Sequence, residues 1–285
     1  MAKIGFLGLG AMGLPMAKRL CAAGHELKVC VHRNPAPALE LERLGARVAD
    51  GPAQVAAGVD YVVSILPEDE QIVEVLLNGN VVASVGPGTV IIEMSSAGPG
   101  TVRRLAEAYA PRGVSVLDAP VSGGVSGAVE GSLTIMCGGG KEVLEKARPV
   151  LEALGGKIWL VGGLGAGKSL KAVNNMLNAA NTVLVAEALR LIRQQGLDEE
   201  TAYQVIKASS GQSCSFDNRF RRMAGENFAG GFKLRLMMKD LRIALAEAGE
   251  LPMPMSSLAL QLYRMTGHES EDLDFSVVSR IFQDK

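Results

Sequence analysis

The sequence has little of what metal-binding and secreted proteins depend on. Its four cysteines, Cys21, Cys30, Cys137 and Cys214, are far apart and form no C-x-x-C pair, and there are three histidines, His25, His32 and His268. No metal-ligand spacing exists among them, which excludes a structural zinc. Free thiols point to a reducing compartment, so a cytoplasmic protein is expected. A basic surplus is also missing: 29 Lys and Arg stand against 30 Asp and Glu, for a formal net charge of -1. Nucleic-acid binding needs a basic face, and this balance leaves none to spare. The short basic run Arg219-Phe220-Arg221-Arg222 reads as a solvated helix face. No run of 18 or more apolar residues goes uninterrupted, because Asn175, Asn178, Asn181 and Glu187 break the longest candidate, so no membrane span is expected. Residues 4–23, behind Lys3, superficially resemble a signal peptide, but the glycines inside that stretch have a structural explanation. Internal repeats and low-complexity runs are absent.

What is present is enough chain for two cores: 285 residues, 48% of them hydrophobic, which excludes global disorder. Residues 2–7 form a short apolar strand. Gly8-Leu9-Gly10-Ala11-Met12-Gly13 follows, then an amphipathic helix from Leu14 to Ala23. This is G-x-G-x-x-G in its required context. The first glycine permits the tight turn, the second lets the backbone approach a pyrophosphate, and the third lets the helix pack on the strand. The second strand, Leu27 to Val31, ends in His32-Arg33-Asn34 rather than in the carboxylate that would accept from the ribose 2′-hydroxyl of NAD. Arg33, with Asn34 beside it, is either a surface arginine or the holder of a 2′-phosphate, which makes NADP the expected cofactor and NAD the second choice.

Further βα units follow, with strands at Val59–Leu66, Thr89–Met94, Val114–Leu117, Ser132–Cys137 and Lys157–Val161 and a helix at Glu142–Leu154. Ligands of doubly wound sheets lie beyond the carboxyl ends of strands, so Leu66-Pro67 and Ser95-Ser96 are cofactor-facing candidates. Between Asp118 and Gly131 lie four glycines and two serines in fourteen residues. This reads as a loop, either a flexible surface loop or an anion-receiving one with Ser122-Gly123-Gly124 as a carboxylate clamp.

From Gly165 the pattern changes to helix only. A long helix opens with Lys171, Asn174 or Asn175, Asn178 and Asn181 or Thr182 on one polar face. Leu170, Val173, Leu177, Leu184, Ala188 and Leu191 form one apolar stripe, and Met176, Ala179, Val183 and Ala186 another, which predicts a buried helix. Its polar face either caps neighbouring helix ends or lines a site. Gly162-Gly163-Leu164-Gly165-Ala166-Gly167-Lys168-Ser169 also matches G-x-x-x-x-G-K-[ST]. A nucleotide triphosphatase would need further strands carrying a Mg²⁺-binding Asp, and no convincing strand follows Ser169. Helices are expected near Asp198–Ala208, Leu234–Ala248, Met255–Thr266 and Phe275–Phe282. The fold class is therefore α/β: a Rossmann-type doubly wound domain over 1–163, an interdomain helix over 164–194 and an all-helical domain over 195–285.

Four ordered motifs resemble those of the β-hydroxyacid dehydrogenase family, over nearly the whole chain. They are Gly8 to Ala17, Asp118 to Gly124 with Ala128 and Gly131, Gly165 to Asn175 (G-x-G-x-x-x-K-x-x-x-N), and Lys239-Asp240-Leu241. The resemblance implies that Lys171 is the catalytic acid/base. It implies that Ser122, Gly123, Gly124 and Asn175 hold the substrate, that Ser96 and Lys239 touch the cofactor, and that the chain forms a homodimer or homotetramer. Asp240, beside Lys239, is a further substrate-side candidate, since a Lys-Asp pair is either a solvated face or reaches a cleft. The expected substrate is a small carboxylate-bearing aldehyde, 2-oxo acid or hydroxy acid. Imine reductases replace the lysine and 6-phosphogluconate dehydrogenases are much longer, so both fit less well. A binding protein that has lost its chemistry is the remaining rival, and the intact Lys171 and Asn175 speak against it.

Overall fold

A computed structural model describes residues 1–282. The chain divides into two compact units, Met1–Lys171 and Ala172–Lys285. The first is built on nine strands: β1 (Lys3–Leu7), β2 (Glu26–Cys30), β3 (Arg47–Ala49), β4 (Tyr61–Ser64), β5 (Val90–Glu93), β6 (Ser115–Asp118), β7 (Val121–Ser122), β8 (Thr134–Gly138) and β9 (Lys157–Gly162). Their order is β3-β2-β1-β4-β5-β6-β8-β7, with β9 beside β8. The first six run parallel in the doubly wound order, and β8 then pairs antiparallel with β6 and β7.

Strand alternation explains the layering. In β1, Ile4 and Phe6 point to one core and Leu7 to the other; Tyr61 and Val63 oppose Val62, and Val90 and Ile92 oppose Ile91. Strands buried on both faces read as continuous apolar runs, which is why these segments stood out. Helices α1 (Gly13–Ala22) and α2 (Ala36–Arg43) cover one face through Met16, Ala17, Leu20, Ala38 and Leu41. Helices α3 (Pro52–Ala56), α4 (Asp69–Leu76), α5 (Gly79–Ser84) and α6 (Pro99–Tyr109) cover the other through Val55, Ile72, Leu76, Val81, Val102 and Leu105. The stretch expected to be an irregular loop contains β7 and a helix, α7 (Gly124–Glu130). Its glycines are packing devices here. Gly127 and Ala128 are buried, and a Cβ on Gly131 would stand about 2.7 Å from the guanidinium of Arg19 on α1. Helix α8 (Lys141–Glu152) joins the first face through Leu144, Ala147, Val150 and Leu151.

Helix α9 (Ala166–Gln194) runs from the first unit into the second; at 1.5 Å per residue its 29 residues span about 44 Å. The second unit is helical, with α10 (Glu199–Lys207), α11 (Cys214–Ala224), α12 (Leu234–Ala248) and α13 (Pro254–Arg264). Two starts are capped by side chains: Asp198 accepts from Thr201 N–H and Ser213 from Phe216 N–H. The core gathers Ala179, Val183, Ala186, Phe216, Phe220, Leu234, Met237, Leu241, Leu260 and Tyr263, with the rings of Phe216 and Phe220 4.9 Å apart. Among the described residues no helix is long and apolar enough to cross a membrane.

The helix expected at residues 275–282 is there, as a 3₁₀ helix. Two expectations need correcting. The basic run at 219–222 is solvated only in part: Phe220 is core, and Arg219 turns inward, its guanidinium 3.7 Å from Asp274 and 4.1 Å from the Phe275 ring centroid. Finally, α9 is not buried on both apolar stripes. Ala179, Val183 and Ala186 are in the core, but Leu170, Val173, Leu177, Leu184 and Leu191 are 40%, 45%, 55%, 50% and 57% exposed in the single chain.

Candidate active site

The glycine-rich turn after β1 tests the dinucleotide reading directly. Gly8 has φ +102°, open to glycine and strained for other residues, and a Cβ there would press on the backbone of Ile65. A Cβ on Gly13 would meet the carbonyl of Gly8, so α1 packs too closely for any side chain. Gly10 is different: a Cβ there would meet nothing within 4 Å, and its φ is not positive. Packing and backbone strain therefore explain Gly8 and Gly13 but not Gly10. The bare backbone at Gly10 leaves room for a ligand to approach. No side chain caps α1 and no acid stands in its first turn, so its positive dipole end is open to an anion. These residues fit a pyrophosphate. Leu9, Ala11 and Met12 complete the turn.

Parallel pairing places the ends of β4 and β5 beside that of β1: Leu7 is opposite Ser64, and Ser64 opposite Glu93. Leu66, Pro67 and Ser96 thus lie past the carboxyl ends of adjacent strands. Leu66 N–H donates to Ser95 Oγ at 2.8 Å, which ties the two loops together. Ser122 ends β7, Gly123 has φ +137°, and Gly124 opens α7. Ser122 is half-buried and both glycines are exposed.

Past β2, Arg33 is exposed and has no ion-pair partner among the described residues. The Oδ1 of Asn34 accepts from Ala36 N–H at 3.0 Å, at the entry to α2. A local turn therefore already uses one end of that amide.

On α9, Lys171 is buried at 8% exposure, and Asn175, one turn further on, at 3%. In the second unit Asn175 Nδ2 donates to Asp240 Oδ2, and Lys239 Nζ lies 3.2 Å from Asp240 Oδ1. Asp240 is buried, so this Lys-Asp pair is not a solvated face. The polar face of α9 serves two purposes. Asn175 joins Lys239 and Asp240, while Asn178 Oδ1 accepts from Ser215 Oγ at 2.8 Å in the first turn of α11, as a capping ladder would. Among the described residues no three His, Cys, Asp or Glu side chains gather as a metal site.

Sequence reasoning missed a buried polar cluster. Lys168, the lysine of the P-loop-like match, is wholly buried against Glu93, and it also donates to the carbonyls of Glu93 at 3.0 Å and Ser95 at 2.5 Å. Asp118, at the end of β6, accepts from Gly165 N–H at 2.7 Å and Lys168 N–H at 3.0 Å, capping α9 from a distant strand. Burial pushes the Asp118 carboxyl up from its ordinary value, partly offset by those N–H groups and by Lys168. Such an ammonium is not available to a phosphate, so the P-loop match is structural. A charged residue inside each of the apolar strands β5 and β6 was the signal that marked this cluster.

Comparison with known proteins agrees with this architecture. Residues 3–163 match the family model described as the NAD binding domain of 6-phosphogluconate dehydrogenase, and residues 165–282 match that described as NAD-binding of NADP-dependent 3-hydroxyisobutyrate dehydrogenase. The chain is 39% identical to 3-hydroxyisobutyrate dehydrogenase of Pseudomonas aeruginosa, over 100% of both chains. It is 39% identical to 2-hydroxy-3-oxopropionate reductase of Escherichia coli, over 90% of this chain and 88% of that one. The solved structure of Mycobacterium tuberculosis 3-hydroxyisobutyrate dehydrogenase with L-serine superposes at TM-score 0.90, with 33% identity over the full length of both. The chain belongs to the β-hydroxyacid dehydrogenase family. It is an NAD(P)-dependent oxidoreductase acting on CH–OH groups, of the 3-hydroxyisobutyrate dehydrogenase and tartronate semialdehyde reductase type.

Proposed function

We propose that the protein is an NADPH-preferring reductase of a small carboxylate-bearing aldehyde, semialdehyde or 2-oxo acid, with Lys171 as general acid. The observation that carries this reading is the buried Lys171, with Asn175 buried one helical turn beyond it and bonded to Asp240. The nicotinamide supplies a hydride. The chain's part is to bind the acid, neutralise charge on the carbonyl oxygen and deliver a proton to it. Lys171 Nζ does the last two, and in the reverse direction takes the proton back. Ser122, Gly123 and Gly124 receive the carboxylate, and Asn175, oriented by Asp240, receives the hydroxyl region. Gly8 to Gly13, Leu66, Pro67, Ser96 and Lys239 hold the cofactor, and Arg33 with Asn34 takes its 2′-phosphate. The exposure of Arg33 supports the last assignment, as does the description of the second family model.

A second reading, an NAD-dependent 3-hydroxyisobutyrate or tartronate semialdehyde enzyme, is favoured by the names of the relatives. A second copy of the chain covers the exposed stripe of α9 in a homodimer or homotetramer. Five large apolar side chains on one face of a helix are not left to water in a stable soluble protein. The compartment is cytoplasmic, consistent with four unpaired cysteines.

The test is Lys171→Ala, assayed with NADPH and a panel of glyoxylate, succinic semialdehyde, tartronate semialdehyde and methylmalonate semialdehyde. Turnover should fall on the order of 100- to 10,000-fold while NADPH titration is unchanged. A variant that keeps more than about a tenth of the wild-type rate contradicts the general-acid role.

A further inference from the structure

The P-loop-like segment at the start of α9 has no role in the reading above, yet it carries a fully buried, densely bonded polar cluster of the first unit. The ammonium of Lys168 has three N–H bonds to give, and all three have acceptors: the Glu93 carboxylate, the Glu93 carbonyl and the Ser95 carbonyl. The Glu93 carboxylate is held in turn by Ser95 N–H at 3.1 Å and by Ser95 Oγ. One helix start is therefore bonded to the end of β5. Asp118 bonds the same start to the end of β6. The backbone fits tightly as well: a Cβ on Gly167 would stand 2.7 Å from Asp118 Oδ2, and one on Gly138 2.5 Å from Asp118 Oδ1.

Stability alone does not explain such a cluster. A buried ion pair contributes little more than apolar side chains of the same volume, because desolvation offsets the attraction. What it does supply is orientation, and three residues after Lys168 comes Lys171. We propose that Glu93, Lys168 and Asp118 are positioning residues: they fix the rotation and depth of the first turn of α9 on the sheet, and so fix where the Lys171 ammonium stands. This rests on Lys171 being the general acid. The leverage is large. A helix with side chains has a radius of about 5–6 Å, so a rotation of about 10° moves a surface atom by about 1 Å. A misplacement of about 1 Å costs on the order of 100-fold in rate.

The experiment uses the full-length enzyme with Glu93→Gln/Lys168→Met, which removes both charges and strands neither, and with Asp118→Asn, which keeps one acceptor for the helix start. With melting temperature, NADPH affinity and substrate KM within about threefold of wild type, kcat should fall about 10- to 100-fold in the paired variant and less in Asp118→Asn. On a Lys171→Ala background the paired substitution should cost nothing further, because it acts through that ammonium. An unchanged kcat in folded variants, or an equal extra loss on the Lys171→Ala background, overturns the proposal. If the paired variant does not fold, Asp118→Asn alone and on the Lys171→Ala background decides by the same two criteria. A Lys171→Ala enzyme that retains its activity sinks the general-acid reading, and this one with it. An inactive Lys171→Ala enzyme beside normal tether variants sinks this one only.

Discussion

Replacing Gly10 by alanine should separate ligand binding from folding, and Gly13→Ala supplies the contrast. At Gly10 a methyl group would meet no protein atom within 4 Å, and the backbone is not in the left-handed region. Alanine there restricts the unfolded chain, worth about 0.4–1 kcal/mol of added stability. For a unit of this size that raises the melting temperature by about 1–4 °C. The same methyl stands where a pyrophosphate would approach the backbone. Losing one charge-assisted hydrogen bond costs about 1.5–3 kcal/mol, or about 10- to 100-fold in cofactor affinity. At Gly13 the new Cβ would lie 2.9 Å from the Gly8 carbonyl carbon and 3.1 Å from Ile65 Cγ2, so α1 must move off the sheet. Overpacking of that kind costs about 1–3 kcal/mol and lowers the melting temperature by several degrees. Thermal melts without cofactor and NADPH titration by fluorescence read both quantities. Equal destabilisation of the two variants, or wild-type affinity in Gly10→Ala, would refute the division of labour among these glycines.

Ser122→Ala should raise KM for the acid substrate about 5- to 50-fold with NADPH affinity unchanged, by loss of a hydrogen bond to a charged group; a loss of cofactor affinity instead would place Ser122 elsewhere. Arg33→Asp should reverse the cofactor preference, since a carboxylate accepts from a ribose hydroxyl and repels a 2′-phosphate. The ratio of kcat/KM for NADPH and NADH reads it, and NADH-favouring values in the unmutated protein would mean that Arg33 serves only the surface. Thiol labelling at pH 8 should modify exposed Cys214 first. Cys137 should stay silent until denaturant is added, because burial pushes its thiol up to about 12; its neutral form is favoured in the fold below that value, so that contribution to stability is lost only as pH rises from its ordinary value through about 12.

Much of the fold was readable because its signals are local. A strand, three glycines and an amphipathic helix lie within twenty residues, and Gly8 and Gly13 each answer to a contact inside that span or just past the neighbouring strand. Helix α7 was not readable, because Gly124-Val125-Ser126-Gly127-Ala128-Val129-Glu130 is poor in helix formers and becomes helical only where its small residues let it lie against α1. Helix α11 was hidden in a similar way: Arg219 has the look of a solvated charge, and its burial depends on Asp274, fifty-five residues later. The exposed stripe of α9 has the periodicity of a buried face. Periodicity identifies an apolar face but not its neighbour, which need not belong to the same chain.

Lys168 shows the same limit most sharply. G-x-x-x-x-G-K-[ST] after a strand describes a tight turn, a helix start and an ammonium at that start. Those features are shared by any strand–turn–helix whose helix begins close against a sheet. What distinguishes a phosphate cradle is an ammonium left free at the mouth of the turn and backbone N–H groups that converge on empty space. Here the ammonium is bonded to Glu93 and Ser95, and the N–H groups of Gly165 and Lys168 converge on the Asp118 carboxylate. That carboxylate occupies the position an anion would take, so the protein supplies its own ligand at this turn. The turn after β1 is the opposite case: its helix start has no side-chain cap and its middle glycine faces open space. Two glycine-rich turns in one chain thus carry similar sequences and different surroundings, and the difference lies in Glu93 and Asp118, about 50 to 75 residues from the lysine they answer.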